Sequence, residues 1–161
     1  MNHETNPEHL RDEYLSRLNE LYSKVDDWVR DIVPKADIEE ERITIKEEPI
    51  DAYQAKVLVI KRPNRKTVRL IPRGRWIIGA EGRVDMKSDL GTETLIYVSE
   101  GAPTIRIDLL TENGKILEER ESHPYLTDIV KGWVFLQNRQ LGMLPSLNAD
   151  LFYRLIEVLG R

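Results

Sequence analysis

The chain of 161 residues contains no cysteine. Disulfides, thiolate metal sites and cysteine nucleophiles are therefore excluded together, and the composition suits a reducing compartment. Histidine is nearly as scarce: His3 and His9 lie at or beside the N-terminus, and His123 precedes Pro124. No pair of them has zinc-site spacing, and Ser99, Ser122 and Ser146 lack the G-x-S-x-G setting of a serine nucleophile. No apolar run approaches the ~20 residues that cross a bilayer. The opening MNHETNPEHLRDEY lacks the apolar segment of a secretory leader.

What is present is 40% hydrophobic and 32% charged residues with a net charge of −4. That balance belongs to a folded protein with one core, and it opposes a general nucleic-acid coat. A soluble, cytoplasmic protein of one domain is expected, with no membrane segment, cofactor, metal or catalytic residue assigned.

The first six residues read as a tail and residues 7–33 as a helix. Asn6 suits the N-cap, Pro7 the first turn, and Glu8 the positive end of the dipole. Leu10, Tyr14, Leu18, Leu21, Val25, Trp28 or Val29, and Ile32 recur at helical spacing, and Pro34 marks the stop. Leu18, Leu21, Val25, Trp28 and Ile32 also keep heptad spacing. The protein is thus either a monomer, with that stripe on its own sheet, or a homodimer through it. After an acidic connector, DIEEE, the period changes to two. Strands are expected at Arg42–Glu47, Tyr53–Arg62, Thr67–Pro72, Arg75–Ile78, Arg83–Lys87, Thr94–Ser99, Thr104–Thr111, Ile116–Glu121 and Trp133–Gln137. A last helix spans 149–159, capped by Asn148, with Leu151, Leu155, Val158 and Leu159 as its stripe. The expected class is α+β: a curled, mainly antiparallel sheet of seven to nine strands, a half-barrel in one form, packed by the two helices.

The stretch RGRWIIGAEGRVDMKS, residues 73–88, resembles a site at first sight. Gly74 and Gly79 have P-loop separation, but Ala80-Glu81 stands where a lysine and a hydroxyl are needed. Glu81, Asp85 and Lys87 can be aligned as a Mg²⁺-dependent nuclease set, with Asp85 and Lys87 on one strand face. A hairpin explains the stretch more simply, with Trp76, Ile77 and Ile78 buried and Val84 and Met86 returning to the core.

The most lopsided segment is KRPNRKTVRLIPRGR, residues 61–75, with seven basic side chains and no acid. If Asn64-Arg65 is a two-residue turn, Arg62 faces Thr67, Ile60 faces Arg69, Leu58 faces Ile71 and Lys56 faces Arg73. Val57, Val59, Val68 and Leu70 then share one face, and Lys56, Arg62, Arg69 and Arg73 share the other. Residues 37–51 hold seven acids against two bases and could neutralise that face from the neighbouring strand.

The expected function is a non-catalytic interaction protein of adaptor, inhibitor or immunity type. It would contact an acidic protein partner through Lys56, Arg62, Arg65, Arg69, Arg73, Arg75 and Trp76. A nucleic-acid-binding module using Arg62, Arg65, Arg69, Arg73 and Arg75 is the first alternative, although only Tyr53 and Trp76 are near enough to stack bases. The nuclease is the second.

Overall fold

The structure is a computed structural model that describes residues 6–33, 35–75, 81–99, 106–110, 116–121, 131–137 and 144–161, with only the backbone of 106–110 and 116–121. Helix α1 (Pro7–Ile32) begins as the sequence indicates, with the Asn6 side chain accepting from the Glu8 N–H at 2.9 Å. Strands β1 (Asp37–Glu47), β2 (Ile50–Lys61), β3 (Val68–Gly74), β4 (Arg83–Ser88), β5 (Gly91–Val98) and β8 (Gly132–Phe135) form one open antiparallel sheet in the order β1-β2-β3-β4-β5-β8. Strands β6 (Arg106–Leu110) and β7 (Ile116–Glu121) pair separately as a hairpin. Helix α2 (Ala149–Gly160) closes the chain, and the Asn148 side chain accepts from the Leu151 N–H at 2.8 Å.

The class is α+β, but the continuous sheet has six strands rather than seven to nine. The acidic segment expected to be a connector is the first half of β1. Charged side chains suit an edge position, where they discourage pairing with a foreign strand. The expected strand Arg75–Ile78 and the reversal through Gly79 fall mainly on 76–80, outside the described residues.

Both helices lie against one face. Leu10, Tyr14, Leu18, Leu21, Tyr22, Val25 and Val29 of α1 join Leu58, Ile60, Val68, Leu70, Val84, Met86, Leu95, Tyr97, Trp133 and Phe135 in the core. Leu151, Phe152, Leu155, Ile156 and Leu159 of α2 complete it. Val158, expected in that stripe, is 47% exposed, because Phe152 and Ile156 take the buried positions. The heptad seam is likewise consumed internally. Leu18, Leu21 and Val25 are at most 2% exposed, Trp28 meets Phe152 at a ring-centroid distance of 5.6 Å, and only Ile32 remains open at 39%. A dimer seam through those residues would require opening the core.

The β1–β2 hairpin twists strongly. Near its sheet end Ile38, Leu58 and Ile60 meet the core, whereas further along it is Ile43, Ile45, Tyr53 and Ala55, of opposite parity, that do so. Two-stranded ribbons tolerate such twist more readily than wide sheets.

Register between β2 and β3 differs from expectation by one residue: Leu58 pairs with Leu70, Val59 with Arg69 and Ile60 with Val68. Both faces of Val57-Leu58-Val59-Ile60 are apolar, so the pattern of β2 accepts either register. The six-residue connection 62–67 is held open by α2. Lys66 N–H donates to the Gly160 carbonyl at 3.0 Å, and Arg62 turns inward. Its Nη2 donates to the Ile156 carbonyl at 3.0 Å, and its Nη1 meets Glu157 Oε1 at 2.6 Å. A helix with no basic residue in its last turn thus has its C-terminal carbonyls satisfied from outside. A Cβ at position 160 would overlap Arg62 Nη2, so glycine is what permits this approach.

The Arg62 side chain is 5% exposed. Arg62→Ala is expected to cost about 3 kcal/mol in denaturant unfolding, the penalty for stranding a partly buried carboxylate and open helix carbonyls. A loss under about 1 kcal/mol would mean that water replaces the guanidinium there.

Candidate functional site

Strand β4 reads Arg83-Val84-Asp85-Met86-Lys87, charged and apolar by turns. Val84 and Met86 enter the core, opposite Pro72 and Leu70 of β3 and Leu95 and Glu93 of β5. Arg83, Asp85 and Lys87 therefore stand on the face away from the helices. Arg69 pairs with Lys87, and Ile71 with Asp85, on that same face.

Asp85 is the centre of this arrangement. It is 4% exposed and accepts from Arg73 Nε at 3.0 Å, Arg83 Nε at 2.9 Å, Arg83 Nη2 at 3.3 Å and Thr94 Oγ1 at 3.1 Å. Burial pushes its carboxyl up, but hydrogen bonds from Arg83 and Arg73, the Arg83 charge and the Thr94 bond outweigh it and hold it below the ordinary aspartate value.

What aims Arg73 at Asp85 is a bulge between Pro72 and Gly74. Gly74 and Arg83 are ladder partners, yet the buried Tyr14 hydroxyl of α1 stands between them. It accepts from the Gly74 N–H at 3.1 Å and donates to the Arg83 carbonyl at 2.7 Å. Inserting one oxygen lengthens the link between the strands and satisfies both backbone groups. Burial raises the Tyr14 hydroxyl far above its ordinary value, so it stays a neutral donor and acceptor. Gly74 has φ +102, and the Glu47 carboxylate occupies the space a Cβ would need. Glu47 in turn accepts from the Arg75 N–H at 2.9 and 3.2 Å. Burial pushes its carboxyl up, against the lowering effect of Arg75.

The basic residues singled out in the sequence do not form one surface. Lys56 lies on the helix side, 3.8 Å from Glu40, and Arg62 is buried beneath α2. Arg65 is 3.9 Å from Glu157 in the connection. Arg75 holds Glu47 through its backbone, and Trp76 lies outside the described residues. The one-residue register difference moves Lys56 and Arg62 away from Arg69 and Arg73. Neutralisation by the acidic strand is partial: Lys61 meets Glu39 at 2.9 Å and Arg69 meets Glu41 at 3.7 Å. Such exposed pairs are weak. Arg69 and Arg73 do share a face, and they share it with Arg83 and Lys87, which the focus on residues 61–75 passed over. The alternation RVDMK was the available signal.

The nuclease set does not converge. Asp85 and Lys87 share a face as expected, but Glu81 is 3.2 Å from Arg17 of α1, on the helix side. Asp85, engaged by two arginines, has no oxygen left to give a divalent cation. Among the described residues no helix is long and apolar enough to cross a membrane.

Searches of the chain against family models, curated proteins and solved structures find no match.

Asp85→Asn is expected to lower stability at neutral pH by about 1–3 kcal/mol, since two arginines lose their counter-charge but are partly solvated. A depressed folded-state value means the aspartate's contribution is complete above its unfolded value of about 3.9 and is lost as pH falls through the lower folded value. The two proteins should therefore converge in acid. Unfolding curves that stay equally far apart down to pH 2 would contradict this assignment.

Proposed function

We propose that this protein is a non-catalytic binding protein whose β3–β4 face docks an acidic surface of a protein partner, in a reducing, cytoplasmic setting. The supporting observation is a group of four cations, Arg69, Arg73, Arg83 and Lys87, about a single buried acid on one face of the sheet. Lys87 makes no ion pair within the described residues, and Arg69 has only its long contact to Glu41. A partner carboxylate that desolvates Arg69 would compete well with an exposed pair of that kind. A protein surface is favoured over nucleic acid by what lies between the cations. Among the described residues of this face, Ile71 and Thr92 reach the surface between the cations, Val59, Thr94 and Ile96 are buried, and Tyr97, Trp133 and Phe135 face the core, so no described ring stands there to stack a base.

Affinity capture from the native cell is expected to recover an acidic protein with or without nuclease treatment. The double variant R69E/K87E, which leaves the bracing of Asp85 untouched, should melt within a few degrees of the parent and lose that partner. Undiminished capture by R69E/K87E would end the proposal, and capture abolished by nuclease would transfer the face to nucleic acid, with affinity falling linearly in log salt.

A further inference from the structure

Arg73 and Arg83 do more than contribute charge. Each commits its Nε–H to Asp85, and Arg83 adds Nη2. Both Nη groups of Arg73, and Nη1 of Arg83, have no partner among the described residues, and the two side chains are 44% and 32% exposed. Two planar donor forks are thus fixed on the two oxygens of one carboxylate while their remaining amino groups meet none of the described residues. An arginine held this way loses little further freedom on meeting a ligand. The backbone beneath them is fixed from the opposite side of the sheet by the Tyr14 hydroxyl, which sets both the bulge carrying Arg73 and the carbonyl of Arg83.

We infer that Arg73 and Arg83 form a preorganised seat for one carboxylate side chain of an acidic partner, with Asp85 and Tyr14 as positioning residues. This rests on the docking face proposed above and names its anchor. The two guanidiniums and Asp85 together carry a single positive charge, the complement of one carboxylate, and Arg69 and Lys87 beside them attract the rest of an acidic protein surface. Fork geometry matters as much as charge, because guanidinium matches a planar carboxylate with two parallel hydrogen bonds and an ammonium does not.

The test is titration of the full-length protein with a hexaglutamate peptide at low salt, followed by calorimetry. Wild type should bind. Arg83→Lys and Arg73→Lys, which keep the net charge, should each weaken binding by about tenfold, and Lys24→Arg, on the exposed side of α1, should leave it unchanged. Tyr14→Phe should weaken it several-fold without altering any surface charge, with melting followed by circular dichroism to confirm the fold. Arg83→Lys carries the test alone if Tyr14→Phe does not fold. Wild-type affinity in Arg83→Lys, or no binding by wild type, would overturn the seat. Tighter binding of inorganic phosphate than of the peptide, lost in Arg83→Lys, would overturn its assignment to a carboxylate. Partner capture that still fails in R69E/K87E, beside full hexaglutamate binding by Arg83→Lys, would remove the seat and leave the docking face standing.

Discussion

A single phenolic oxygen sets the geometry on which the outer face depends. Tyr14 projects from α1 into the gap between β3 and β4, where a direct ladder bond between Gly74 and Arg83 would otherwise close. A phenylalanine would fill the same core volume and leave two buried backbone groups to find each other, drawing the strands together. With the hydroxyl in place, the strands part by a bulge, Gly74 takes a left-handed conformation, and Arg73 reaches the carboxylate that Arg83 already holds. The helix that builds the core thereby determines how two arginines stand on the side of the sheet it never touches.

Charge in this protein is sorted by burial rather than by sequence neighbourhood. The run of cations between Lys61 and Arg75 is divided among three tasks. Arg62 closes the end of α2, Lys61 and Arg69 lie against the acidic edge strand, and Arg73 joins Asp85. Arg73 keeps both Nη groups clear of the described residues. On the other side of the sheet Arg17 lies 4.3 Å from the Tyr97 ring centroid and pairs with Glu81, while the Trp133 Nε1–H donates to its carbonyl at 3.1 Å. A cation with that many internal partners is structural.

Much of the architecture was legible because it rests on local chemistry. Asn6 with Pro7, and Asn148, start helices through side-chain acceptors that any reader of caps can find, and period-two alternation placed β3, β4 and β5 within a few residues. The acidic DIEEE segment misled because high charge suggests a connector, whereas an edge strand carries charge for its own protection. The β2–β3 register was illegible for a definite reason. Val57 to Ile60 is apolar on both faces, and what fixes the register is Arg62 and Lys66 reaching α2, about a hundred residues later in sequence. For the candidate site, Arg69 and Arg73 were visible as a cluster. Arg83 was not, since its membership depends on strand pairing across the bulge, and no local pattern announces that a tyrosine sixty residues upstream, Tyr14, will hold the bulge open.

The two borders of the sheet are guarded by different means. At β8 the segment 145–147 lies alongside: Phe135 N–H donates to the Pro145 carbonyl, Leu147 N–H to the Trp133 carbonyl, and Ser146 bridges Val134. That border is stoppered by the chain itself. At β1, Asp37, Glu39, Glu40 and Glu41 stand along an exposed strand whose one described neighbour is β2. Among the described residues nothing solid blocks it; mutual repulsion between like-charged molecules does. Concentrated solutions of high ionic strength would weaken the electrostatic guard and leave the steric one intact, so association of this molecule through its sheet edges would begin at the acidic strand and close at a pair.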